Sequence, residues 1–222
     1  MGKRILLVEG PDDQHVIWNL FEVRAIPETF KVECPVEDND MQETQGGDAV
    51  LLDSIRSRLK ETDLECLALI IDANGKGPRS RWESIRDRLT HAGYTDIPVE
   101  HNEQGTVVEL SLRPRTPRSV RFGAWIMPDN RSEGMLEDFV AGLIRDHDSM
   151  LPLVDRFLRS IPADQQRFSP AHQPKARIHS WLAVSDRPGR PMGQAIKADK
   201  YMNAHHPSAQ PFLDWIQRAL LT

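Results

Sequence analysis

Two short apolar runs, Ile5-Leu6-Leu7-Val8 and Cys66-Leu67-Ala68-Leu69-Ile70-Ile71, limit what this chain can fold into. Neither alternates with polar residues, so each predicts a strand covered on both faces, as in parallel sheets sandwiched between helices. Each run ends on an acid, Glu9 in one case and Asp72 in the other. Helical patterns follow both: Val16, Ile17, Leu20 and Phe21 after the first run, Trp82, Ile85 and Leu89 after the second. Asp12 or Asp13 is expected to cap the first of these helices, and Ser80 to begin the other, with Arg81, Arg86 and Arg88 turned outward.

The same alternation continues along the chain. FKVECPV reads as a strand, and Gly46-Gly47-Asp48 opens a helix carrying Leu52, Ile55 and Leu59. TVVELSL and VRFGAWIMP are further strands, and SEGMLEDFVAGLI a further helix. The order predicts an α/β domain over residues 1–145, a mostly parallel sheet with helices on both faces. Residues 146–222 read as a helical C-terminal extension packed on the same core. Its helices are marked by Leu153, Phe157 and Leu158, by Ile178, Trp181 and Leu182, and by Phe212, Trp215, Ile216 and Ala219, with Pro211 in a first turn. SDRPGRPMG between the last two is expected to be a loop.

A formal net charge of -5 excludes a generic basic coat for nucleic acid. Lys76, Arg79, Arg81, Arg113, Arg115, Arg118 and Arg121 nevertheless gather in two Pro-interrupted segments expected to be loops. Any one arginine there reads most simply as solvated; the two clusters together could form a phosphate-facing rim. No apolar window is long enough to cross a bilayer, and Met-Gly-Lys-Arg leads straight into a strand, so a cytoplasmic, membrane-free protein is expected. Cys34 and Cys66 alone support neither a disulfide framework nor a cysteine zinc site.

In open parallel sheets ligands collect beyond the carboxyl ends of the strands. Glu9 and Asp72 should therefore share a crevice. Three acidic motifs stand out: Glu9-Gly10-x-x-Asp13, Asp72-Ala73-Asn74-Gly75 and Leu136-Glu137-Asp138. Two carboxylates about 5 Å apart at an effective dielectric near 20 repel by roughly 3 kcal/mol. Several in one crevice must take up protons or hold cations. Oxygen donors suit Mg²⁺ or Mn²⁺, which keep several waters and take one or two carboxylates each. Gly10 and Gly75 would let backbone and ligand approach closely. Taken singly, each acid has a plainer reading: a helix cap at Asp12 or Asp13, a turn at Asp72, a surface glutamate at Glu137.

These motifs carry a resemblance. LLVEG followed by Asp13, and LIIDAN, look like the TOPRIM domain of topoisomerases, primases, recombination-repair proteins and OLD-type nucleases. WIMPDNRSEGMLEDFV and the KARIHSWLA…RPGRPMGQAIK segment look like small stand-alone TOPRIM proteins related to the OLD-type group. The resemblance implies a Rossmann-like fold and Mg²⁺- or Mn²⁺-dependent phosphodiester chemistry on DNA or RNA, most simply a nuclease using one or two ions. It implies Glu9 as general acid or base and metal ligand, with Asp13, Asp72 and Glu137 on the metal. Lys175 or Lys197 would be the lysine that OLD-type nucleases add, and Gly10, Lys76, Arg79 and Arg81 would face substrate. Phage defence is a further implication; any ATPase or regulatory partner would be a separate chain, and the helices around residues 145–220 could supply a homodimer or partner surface.

The chain departs from the family at Asn74, where the second acid of an Asp-x-Asp pair is an amide that brings oxygen but no charge. Asp129, Glu133 or Asp138 are the nearby acids that could compensate. The departure leaves two rival expectations: a weakly active or inactive TOPRIM-type module working with a partner protein, and a receiver-like signalling domain phosphorylated on Asp72. A nucleotide-binding Gly-x-x-x-x-Gly-Lys loop is absent, which disfavours an ATPase.

Overall fold

The computed structural model describes residues 2–35, 47–111, 119–198 and 200–222. Five strands form one sheet: β1 (Lys3–Leu7), β2 (Lys31–Glu33), β3 (Leu64–Asp72), β4 (Thr106–Ser111) and β5 (Ser119–Met127). Their order is β2-β1-β3-β5-β4. Four run parallel, and only β4 is antiparallel, pairing with β5 from Thr106 opposite Ala124 to Ser111 opposite Ser119. The fold is thus α/β with a mostly parallel sheet.

Because successive side chains of a strand point to opposite faces, β1 and β3 feed two separate cores. Ile5 and Leu7, with Leu67, Leu69 and Ile71, pack under α2 (Gly47–Arg58) and α3 (Gly77–His91). Leu6, Val8, Ala68 and Ile70 pack under α1 (Pro11–Val23). That second face is completed by α4 (Leu136–Ala141), α5 (Leu151–Ser160), α6 (Gln173–Ala183), α7 (Met192–Ala198) and α8 (Gln210–Ile216), which runs on into a π-helical turn, Gln217–Leu221. Residues 146–222 therefore supply much of one core. Trp215 is fully buried, and its indole N–H donates to the Thr106 carbonyl at 3.1 Å. A Cβ at Gly105, where φ is +86°, would stand 2.4 Å from the Trp215 ring, so the ring and the backbone turn both call for glycine.

Several local expectations are corrected. Gly10, in extended conformation, is the residue before α1, and Pro11 starts the helix; Asp12 and Asp13 lie inside its first turn. Proline's fixed φ favours that first position, which displaces the aspartates from the capping role. Likewise α3 starts at Gly77, before Ser80, so Arg79 and Arg81 are helical and not in a loop. On α5 the buried residues are Val154 and Leu158, whereas Leu153 and Phe157 are exposed. SDRPGRPMG is a loop through Pro191, and its last two residues, Met192 and Gly193, open α7, whose Met192, Ala195 and Ile196 are buried. Among the described residues no helix is long and apolar enough to cross a membrane.

Candidate functional site

Glu9 follows β1 and Asp72 closes the neighbouring β3, so the sheet itself brings their backbones side by side. The Asp72 N–H donates to Glu9 Oε1 at 2.6 Å. The Asp72 carboxylate turns to the next segment, where Oδ1 accepts the Leu136 N–H at 2.9 Å at the start of α4. Glu137 follows Leu136 and is buried. Asp13 faces the same crevice from the first turn of α1; a Cβ on Gly10 would sit 3.4 Å from Asp13 Oδ2. Three stretches that are distant in sequence thus contribute four carboxyl groups: Glu9 and Asp13 from one, Asp72 and Glu137 from the others.

The electrostatics follow from this crowding. Burial, and then the charges of Glu9 and Glu137, push Asp13 up to about 7. Burial again leads at Asp72, followed by Glu9, Asp13 and Glu137, and carries it to about 8 against the opposing Leu136 hydrogen bond. Glu9 is raised by burial, an effect partly offset by the Asp72 N–H and by the positive charges of Arg81 and Lys175. Water has been withdrawn from like charges, with fewer cations than acids beside them among the described residues.

Lys175, on α6, is the cation on the acidic side, with Nζ 3.6 Å from Glu137 Oε1 and its side chain half exposed. Lys197 is placed elsewhere. It pairs with Glu22 and ties α7 to α1, so the structure brings only one of the two candidate lysines to the acids. Asn74 is exposed, with φ of +36°, and its backbone N–H donates to the Gly134 carbonyl at 2.9 Å. Asp138 and Asp129 are occupied by backbone: Asp138 accepts the Met135 N–H, and Asp129 the N–H groups of Arg131 and Ser132.

A second cluster flanks Glu9. A Cβ on Gly47 would lie 2.9 Å from the Glu9 carbonyl oxygen, so the start of α2 abuts the Glu9 backbone. Next to it, Asp48 receives Arg81 at 2.6 Å from α3, with Lys76 3.9 Å away. Burial alone would raise Asp48, but the Arg81 hydrogen bond and charge hold it below the usual carboxylate range. The Arg81 side chain is 3% exposed, which corrects the expectation of an outward arginine on a substrate rim. Asp48 was not anticipated. The cue for the pair lay in the helix period, because Arg81, Ile85 and Leu89 are spaced i, i+4, i+8 and share one face.

The remaining basic candidates separate. Lys76 is exposed beside the site, and Arg79 pairs with Glu83 on the surface of α3 at 3.3 Å. Arg121 is in register with Cys66, at the opposite end of the sheet from Asp72, and pairs with Glu109. Arg113, Arg115 and Arg118 lie outside the described residues.

Among the described residues no group of three or more His, Cys, Asp or Glu side chains converges as a metal-binding cluster. The donor set nevertheless fits a hard divalent cation in kind: all oxygens, mutually repelling, and partly uncompensated. An ion that retains most of its water needs only one or two carboxylates.

Neither the curated proteins nor the solved structures yielded a match to this chain. A family model described as a protein of unknown function, DUF3226, matches residues 3–221, from the first residue of β1 to the last of the π-helical turn. A match of that extent takes in both cores and the acidic crevice, and the chain belongs to the DUF3226 family.

Proposed function

We propose that this protein is a TOPRIM-type phosphodiesterase that uses Mg²⁺ or Mn²⁺ to cleave DNA or RNA. The observation that carries the reading is the crowding of Glu9, Asp13, Asp72 and Glu137, from three stretches of chain, at the carboxyl end of a parallel sheet, with Asp13 and Asp72 pushed up to about 7 and about 8. Perturbed acids gathered at such a sheet end are what metal-assisted phosphoryl chemistry requires.

In this reading one or two of Asp13, Asp72 and Glu137 would hold a hydrated cation, with Glu9 beside them. A bound divalent ion would supply Lewis-acid stabilisation of charge on the phosphoryl oxygens. Glu9, raised by burial and kept in place by the Asp72 N–H, is suited to exchange a proton with the attacking water or the leaving oxygen. Lys175, half exposed and within ion-pair distance of Glu137, would supply a positive charge to a phosphoryl oxygen. Lys76, exposed at the mouth, offers a phosphate contact; Arg81 acts from inside, through Asp48 and Glu9, and does not touch substrate.

The test is cleavage of single- and double-stranded DNA and RNA by purified protein with Mg²⁺, Mn²⁺ or a chelator. Metal-dependent cleavage that disappears in both Glu9→Gln and Asp72→Asn is expected. Cleavage that persists in either variant, or that ignores the chelator, overturns the reading.

A further inference from the structure

A second hollow lies at the same end of the sheet as the acids, and the proposed chemistry does not use it. Because β4 runs antiparallel to β5, its first residue is at the carboxyl end of the parallel strands: Thr106 pairs with Ala124, and Asp72 with Met127. A cavity of about 600 Å³ opens there, lined by Thr106, Val107 and Val108 of β4 and by Pro98, Glu100 and His101 of the preceding segment. That volume is typical of small-molecule sites. Two strand spacings separate β4 from β3, about 10 Å across the sheet. A stacked nucleic-acid strand covers that distance in about three nucleotides.

The segment after β5 joins the two places. Its Asn130 carbonyl accepts from His101 Nε2 at 2.8 Å, and Arg131 lines the cavity. Farther along, the Gly134 carbonyl accepts the Asn74 N–H, and the Leu136 N–H reaches Asp72. One stretch of chain is thus fastened to the cavity at one end and to the acidic crevice at the other.

The cavity's chemistry follows from which of its polar groups are already committed. Arg131 pairs with Glu103 at 3.1 Å, and Arg218 donates to the Gln104 carbonyl. Glu100 has no partner among the described residues. His101 donates through Nε2, which leaves Nδ1 of the neutral ring as an acceptor. Gln104, also in the lining, brings an amide that both donates and accepts. The three β4 residues point their side chains to alternate faces, so what they share towards the cavity is the strand's outer edge. Every second residue of that edge turns its N–H and C=O away from β5, an adjacent donor and acceptor. The uncommitted charge is negative, which repels a phosphate. A flat ring with donors and acceptors on its rim meets a partner at each of these groups.

We infer that this cavity holds a nucleobase of the substrate strand, one with an exocyclic amino group that donates to Glu100. A carboxylate reads the amino group of cytosine in this way. The identity of the strand as substrate rests on the phosphodiesterase reading; the choice of base rests on the cavity alone.

Nuclear magnetic resonance of the ¹⁵N-labelled full chain, titrated with cytidine and with uridine, tests the cavity without a phosphate present. Cytidine is expected to shift the amides of His101, Gln104 and Val107 and to bind about tenfold more tightly than uridine. Glu100→Gln should erase that preference, because an amide serves both bases. Initial rates with Mg²⁺ on short oligocytidine and oligouridine should show the same order in KM, again lost in the variant. Cavity amides that stay still, or equal binding of the two nucleosides, overturn the inference even where nucleic acid is cleaved. Cytidine held at the cavity of a chain that cleaves no nucleic acid upholds the base site and overturns the phosphodiesterase reading instead.

Discussion

The backbone of Asp72 holds the side chain of Glu9: the Asp72 N–H donates to Glu9 Oε1 at 2.6 Å, while the Asp72 carboxylate points away to Leu136. One residue thus fixes its neighbour through its main chain and leaves its own acid for other work. Glu9→Gln preserves that hydrogen bond, since the amide oxygen still accepts it. The variant should keep its melting temperature within a few degrees while cleavage falls roughly 10²–10⁴-fold. A thermal melt and a cleavage time course on one preparation check both halves.

Stability should depend on pH through the raised acids. A carboxyl whose folded-state value is raised contributes stability that is present at low pH and is lost as pH rises. For Asp13 and Asp72 the loss begins above the ordinary aspartate range and is complete above about 7 and 8 respectively. Metal-free protein should therefore melt lower at pH 8 than at pH 5. Asp72→Asn should be more stable than the parent at pH 8, by on the order of 2 kcal/mol, and so melt higher there, with no gain near pH 4. Millimolar Mg²⁺ or Mn²⁺ should raise the parent's melting temperature at pH 8 and leave that of Asp72→Asn nearly unmoved. Differential scanning fluorimetry across pH with and without metal reads all of these outcomes.

The Asp48–Arg81 pair is asymmetric in its exposure, 27% against 3%, and its two deletions should differ. Asp48→Ala leaves a guanidinium buried without its partner and should cost about 3–4 kcal/mol. Arg81→Ala leaves a carboxylate with partial access to water and should cost less, about 2 kcal/mol. Urea denaturation of the two variants gives the order.

Only one of the two lysines lies near the acids. Lys175→Ala should reduce cleavage by at least tenfold, because its charge is felt at Glu137, Glu9 and Asp13. Lys197→Ala should cleave like the parent and lose only its exposed contact with Glu22. Side-by-side initial rates decide the matter.

Asn74 is exposed at the turn after β3, so Asn74→Asp adds a charge beside the crevice without disturbing the core. Calorimetric titration with Mn²⁺ should show tighter binding than in the parent. An unchanged affinity removes residue 74 from the neighbourhood of the ion.

Much of this architecture was legible in the sequence because burial on both faces leaves an unmistakable pattern. The runs at residues 5–8 and 66–71 had to be interior parallel strands, and their acidic ends had to be neighbours. Boundaries were less legible where two residue types compete: Pro11 and Gly77 take over the helix starts that Asp12, Asp13 and Ser80 advertise. Arg81 was hidden by its own character. A long charged side chain on a helix reads as solvated, and only the position of Asp48 on a separate helix makes its burial affordable. On α5 the apolar residues outnumber those that the fold buries, so Leu153 and Phe157 read as core although the helix turns them to solvent.

The last helix has a consequence for how the chain comes to be folded. The Arg4 guanidinium reaches the Leu220 carbonyl, and Trp215 and Ala219 lie against Gly123 in the middle of β5. The part of this side around Gly123 therefore stays bare until α8 and the π-helical turn have been made, even with α1 in place, while α2 and α3 can close the other side far earlier. A ribosome-bound intermediate should carry a half-dressed sheet, greasy on one flank, and depend on chaperones or speed until its final turns emerge.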